Sequence, residues 1–191
     1  MANIFDYLKW RADISVCHSP FSEVDALILS EISYLDFSGI VANDFSRTIT
    51  LKEAASIFFS DAKRANKSLG LIIPDLILDV LKVAANTRRY GEMKLISFVS
   101  DTNEREEKQF SAMAVDTGDR HLFVAFRGTD DTIVGWREDF SMSYCYTVAS
   151  QVEAKKYLDS VAEKFPSPIR IGGHSKGGNL ALYSALNADY G

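Results

Sequence analysis

The stretch PIRIGGHSKGGNLALYSALN, residues 168–187, constrains the fold of this chain more than any other. Its apolar run at 169–171 reads as a short strand and its small, apolar run at 179–186 as a helix. Between them, Gly173-His174-Ser175-Lys176-Gly177 spells G-x-S-x-G, the pattern of a nucleophile elbow. A serine on so sharp a strand-to-helix turn holds a strained backbone, and glycines two residues to either side let neighbouring backbone approach without a Cβ. The hydroxyl then projects into a cleft. The amide that follows, that of Lys176, lies at a helix N-terminus, where unpaired N–H groups and the helix dipole favour a developing oxyanion. Ser175 is thus the candidate nucleophile and Lys176 the candidate backbone donor. The competing reading is a glycine-rich turn that only packs tightly or binds an anion.

Residues 91–191 carry the strands that such an elbow needs. Residues 94–100 and 109–115 read as strands joined by the charged DTNEREEK segment as a solvated hairpin connection. Thr117-Gly118-Asp119 makes a second turn, and residues 122–126 form a continuous apolar strand of the kind buried on both faces. A helix over 148–165, with Val152, Ala154, Tyr157, Leu158 and Val161 among its apolar positions, leads back to the elbow strand. Strand, helix, strand implies a parallel crossover, with the serine turn at the strand's C-terminal end, where open α/β sheets bind ligands.

Residues 1–90 read as mainly helical. Helices are expected over 3–12, where Tyr7 and Trp10 widen an apolar face centred on Leu8, and over 22–35, with Ser22 as N-cap and Asp25 in capping-box position. Thr50-Leu51-Lys52-Glu53 is a stronger capping box for a helix over 50–65, and Pro74-Asp75 opens another that Gly91 should stop. The expected class is α/β, a helical region over 1–90 followed by a sheet region over 91–191.

Composition excludes several functions. A net charge of −5 and a pI near 5.2, with no long Lys/Arg run, argue against nucleic-acid binding. No apolar run nears the ~20 residues needed to cross a bilayer, and residues 1–16 do not read as a secretion signal. The expected compartment is the cytoplasm, with peripheral membrane contact left open. Cys17 and Cys145 have neither metal-site nor disulfide spacing and are expected as buried free thiols, so no metal and no cofactor is expected. The absence of G-x-x-x-x-G-K-[ST] counts against an anion-binding module. Oligomeric state has no signature in the sequence.

The strand at 122–126 ends in Phe126-Arg127-Gly128-Thr129, followed by Asp130-Asp131-Thr132-Ile133-Val134-Gly135-Trp136-Arg137-Glu138-Asp139. Together with GHSKGG this block resembles the class 3 lipases of the α/β-hydrolase superfamily. It is also similar to an uncharacterised bacterial lipase-like family whose helical N-terminal region carries a stretch like DALILSEISYL, here residues 25–35. The resemblance implies the N-terminal part of an α/β-hydrolase fold and a serine hydrolase acting on a small-molecule ester or lipid, such as a lysophospholipid. It implies that Ser175 is the nucleophile, that the Thr129 amide and hydroxyl join the Lys176 amide in an oxyanion hole, and that residues 132–139 form a lid in which Trp136 covers the cleft.

A serine hydroxyl needs a base to take its proton, and that base needs an orienting acid. In α/β hydrolases the order is Ser, acid, His, yet no histidine follows Ser175 and Asp189 comes too soon after it. His174 lies in the elbow and should point away from the serine hydroxyl, His121 begins a strand, and His18 is far upstream. The expectation is therefore an N-terminal part of a longer hydrolase whose acid and histidine lie past residue 191. The alternative is a non-catalytic hydrolase-like scaffold that binds a lipid or a protein partner.

Overall fold

The computed structural model describes residues 2–66, 68–70 and 74–189. In chain order the elements are α1 (Ile4–Arg11), α2 (Glu23–Ile32), β1 (Ile49–Thr50), α3 (Leu51–Ser60), α4 (Ala62–Ala65), α5 (Leu76–Ala85), β2 (Lys94–Asn103), β3 (Lys108–Asp116), β4 (Leu122–Phe126), α6 (Ile133–Ser141), α7 (Ala149–Lys164), β5 (Ile169–Gly173) and α8 (Lys176–Asn187). The class is α/β, a helical first half followed by a mixed sheet, as the sequence patterns imply.

Both capping boxes read from the sequence form. Ser22 and Asp25 exchange hydrogen bonds at the start of α2, and Thr50 and Glu53 do so at the start of α3. The helix expected over 50–65 is broken at Asp61, whose carboxylate accepts from the Lys63 amide and caps α4 separately. The helix expected to run to Gly91 ends at Ala85, where the Asn86 side chain turns back onto the Lys82 carbonyl. Trp10 is exposed and stacks under the Arg11 guanidinium rather than widening the buried face of α1, and Val152 also sits at the surface.

The sheet order is β1-β2-β3-β4-β5, antiparallel throughout except for the parallel pair β4–β5. Half of the charged segment expected as a hairpin connection is strand, because β2 continues to Asn103 and β3 begins at Lys108, and residues 104–107 make the turn. There Lys108 pairs with Asp101 of β2 and with Glu106 of the turn, so the connection is charged, as expected, but shorter. β1 was not expected, since two residues leave no alternation to read.

Alternation sorts the strand side chains onto two faces. Phe98, Met113, Val115, Phe123 and Ala125 join one apolar cluster with Leu8, Ile28, Leu51 and Leu81 of the helical half. Ile96, Phe110, Ala112, Ala114, Val124 and Phe126 join another with Tyr157, Leu158, Val161 and Leu180 of α7 and α8. Leu95 and Phe98 share a face although three residues apart, because the β2–β3 register shifts between Leu95 and Ser97 and one extra residue reverses the alternation. The result is three layers, with the first-half helices beneath the sheet and α7 and α8 above it.

Beneath the sheet, the Arg89 guanidinium is buried with all five of its donors used. It forms a two-pronged pair with Asp25 at 2.6 and 2.7 Å and donates to the carbonyls of Ile14, Ser19 and Pro20. Tyr90 Oη donates to the same carboxylate. Burial pushes the Asp25 carboxyl up, but the hydrogen bonds from Arg89, Tyr90 and Ser22 outweigh it and hold it below the ordinary carboxylate range. Cys17 and Cys145, expected buried, are both exposed.

Candidate active site

The parallel pair sets up the site. β5 runs beside β4 with Gly173 opposite Phe126, and α8 starts at Lys176, so Ser175 occupies the single turn between strand and helix. Its backbone sits at φ 56° and ψ −124°, a region that side-chain-bearing residues rarely adopt. The two flanking glycines permit the turn to tuck against the end of β4. A Cβ on Gly177 would collide with the Phe126 carbonyl, and one on Gly173 would strike both that carbonyl and the backbone of Gly177. Ser175 itself is exposed, and its hydroxyl makes no hydrogen bond to any of the described residues.

Sequence reading singled out Lys176 for its amide alone; the side chain has a second role. Its ammonium is buried and spends its three donors on the Gln109 carbonyl and Oε1, each at 2.7 Å, and on Glu138 Oε2 at 3.0 Å. Glu138 is equally buried and also accepts from the Gln109 amide, the Ser150 amide and the Ser150 hydroxyl at 2.7–3.0 Å. Burial pushes the Lys176 ammonium below its ordinary value, and the Glu138 carboxylate opposes that shift. With every donor committed under the elbow, Lys176 is not placed to act as a base on Ser175. Glu138 entered only as part of the expected lid segment and Gln109 only as the first residue of a strand; the one available signal was a lysine directly after the serine of a glycine-rich turn.

Thr129 lies just past β4 and is buried. Its hydroxyl donates to Asp139 Oδ2, and a hydroxyl has one proton, so the hydroxyl half of the expected oxyanion role is already engaged. The Thr129 amide is the part left for that role. The expected lid segment 132–139 is mostly helix: Thr132 caps α6 by accepting from the Gly135 amide. Ile133, Trp136 and Phe140 then leave an apolar stripe on its exposed face.

Tyr34, which follows α2 and falls within the DALILSEISYL stretch, was not singled out as a site residue. Its hydroxyl lies 3.0 Å from His174 Nδ1 and against Gly128, tying the helical half to the elbow. Burial and the nearby Glu31 carboxylate push its pKa up to about 12, so the hydroxyl stays protonated. The His174 ring is thereby turned to Tyr34. His121 contacts the Asp119 carbonyl and His18 the Ser15 hydroxyl. Asp189 is held by Lys155. Among the described residues, no histidine or carboxylate is hydrogen-bonded to Ser175, and no group of three or more His, Cys, Asp or Glu could hold a metal ion. A cavity of about 600 Å³ opens beside Tyr34, Phe58, Arg127, Asp130 and Thr132, next to the loop that carries Thr129 but without Ser175 in its walls.

A three-layer α/β protein with an exposed serine held at positive φ between a parallel strand and a helix is the class that fold and site define. The chain belongs to the Mbeg1-like family, whose model matches residues 84–191, more than half of its length. No curated protein and no solved structure matches it.

Proposed function

We propose that the protein is a serine hydrolase of the α/β-hydrolase fold that cleaves a carboxylic ester through an acyl-enzyme on Ser175. In that reaction Ser175 Oγ adds to the ester carbonyl as its proton passes to a base, the alcohol leaves, and water then releases the acid. The Lys176 and Thr129 amides are the donors assigned to the negative charge that gathers on the carbonyl oxygen. The base and its orienting acid have to come from outside the described residues. The observation that carries this reading is the Ser175 backbone, because a non-glycine residue at φ 56° between two glycines that exclude any Cβ is strained structure with an exposed hydroxyl at its apex.

The exposed stripe Ile133, Trp136 and Phe140 on α6 supports an ester with an apolar chain, a lipid or lysophospholipid, with α6 as its cover. Among the described residues no helix is long and apolar enough to cross a membrane; in this reading the protein acts in the cytoplasm and touches a lipid surface peripherally. A second reading, a non-catalytic scaffold that binds a lipid or a protein, is favoured by one fact, the missing base at Ser175. A fluorophosphonate probe separates them. Labelling of the folded, full-length protein that disappears in Ser175→Ala is the expected result; a folded protein that stays unlabelled leaves the scaffold.

A further inference from the structure

Gln109 stands between the two amides assigned to the oxyanion. Its Oε1 accepts from the Lys176 ammonium at 2.7 Å, and its Nε2 donates to the Gly128 carbonyl at 3.5 Å. The Gly128 carbonyl and the Thr129 N–H belong to one planar peptide unit, so a donor that fixes the direction of the carbonyl fixes the direction of the amide on the opposite side. Lys176 carries the other amide on its own backbone. A continuous path therefore runs from one oxyanion donor to the other: Lys176 amide, Lys176 side chain, Gln109 side chain, Gly128–Thr129 peptide.

Gln109 has little freedom to do anything else. It is fully buried, its own amide is held by Glu138 Oε2 at 3.0 Å, and its carbonyl accepts from Lys176 and lies 3.0 Å from the Ser150 hydroxyl, whose one proton it shares with Glu138. Gly135 of α6 also packs against its side chain; a Cβ there would sit 3.1 Å from Gln109 Oε1. An uncharged amide offers, from two separate atoms, an acceptor to an ammonium and a donor to a carbonyl at once. A leucine would fill the space and orient nothing.

We propose that Gln109 is a positioning residue for the oxyanion hole: gripped by the Lys176 side chain, it turns the Gly128–Thr129 peptide so that the Thr129 and Lys176 amides converge on one oxygen. This rests on the serine hydrolase reading of Ser175. Preorganised donors act on the transition state more than on substrate binding, so loss of the grip should appear in the chemical step.

The test uses the full-length protein, 4-nitrophenyl butyrate and a fluorophosphonate probe. Gln109→Met removes both side-chain contacts, whereas Gln109→Glu keeps an acceptor for Lys176 and puts a carboxylate oxygen in place of the donor to Gly128. In both variants we expect kcat and the saturating rate of Ser175 phosphonylation to fall by about tenfold or more, with KM within about threefold. If wild type reacts and a folded Gln109→Glu variant reacts within about twofold of it, the inference is overturned while the hydrolase reading stands. If folded wild type does not label at all, the hydrolase reading is overturned and the inference with it. A crystal structure of the unmutated phosphonyl adduct decides independently of how the variants fold. Both amides on the phosphonyl oxygen, with Gln109 Nε2 still on the Gly128 carbonyl, support the proposal; a Gln109 turned away from that carbonyl overturns it.

Discussion

Two buried cations lie in different parts of the molecule, one among the first-half helices and the other at the end of the sheet beyond β4, and each has spent every donor it owns. Arg89 binds one carboxylate through two parallel bonds and closes the loop before α2 onto the turn after α5. Lys176 binds one carboxylate through a single bond and joins β3, α6 and the start of α8, directly beneath the serine turn. The planar fork of arginine suits the first site, where shape must be held between loops. The compact ammonium suits the second, where three acceptors converge under a tight turn with no room for a wider group. The same rule of full satisfaction therefore holds in two settings, one among loops of the helical half and the other beneath the serine turn.

Replacing either cation should break the comparison if it is wrong. Arg89→Met and Lys176→Met each leave a buried carboxylate without its cation, and each should lower unfolding free energy in urea by about 3–5 kcal/mol. They should part company in reactivity. Among molecules still folded, Lys176→Met should lose at least about tenfold in Ser175 labelling rate and Arg89→Met less than about twofold. Equal losses in the two variants would mean that the Lys176 cluster is as remote from the site as the Arg89 one.

Gly177→Ala tests the turn itself. The added methyl meets the Phe126 carbonyl, so stability should fall by about 1–3 kcal/mol and labelling with it, as the elbow is forced away from β4. Acid then distinguishes the clusters without mutation of the elbow. Asp25 has its pKa depressed by folding, so its contribution is present above the ordinary carboxylate pKa and is lost as pH falls through the folded value. Thermal melts of wild type should drop below about pH 4, and Arg89→Met should show a flatter acid limb. The smallest effect is expected from Trp136→Ser, within about 0.5 kcal/mol in stability because the ring is already half in water. Its KM should rise for long-chain esters and hold for short ones if α6 covers an acyl chain.

Much of this arrangement was legible in the residues. The strand at 122–126, both capping boxes, the α7 crossover and the serine turn announce themselves because each depends on local chemistry: an apolar run, a Ser or Thr with an acid three residues on, glycines two residues from a serine. What escaped were the features made by distance. Tyr34 meets His174 across 140 residues and Lys176 meets Gln109 across 67, and nothing in the local pattern of either partner foretells the other. The hydroxyl of Thr129 escaped for the same reason, since its acceptor, Asp139, comes from the far end of the next helix. Cys17 and Cys145 are exposed although thiols favour interiors on average; beside Cys17 it is Val16 that enters the core.

The division of strand side chains between two clusters bears on how the chain can be cut. The stretch by which it is classified begins at residue 84, within α5, yet Phe98, Met113, Val115, Phe123 and Ala125 are sheltered by helices that come earlier. A polypeptide begun there would carry its serine turn intact and one whole side of its sheet naked to water, an adhesive plane inviting aggregation. The matched stretch and the stretch that covers both faces of the sheet are, in this protein, different lengths of chain.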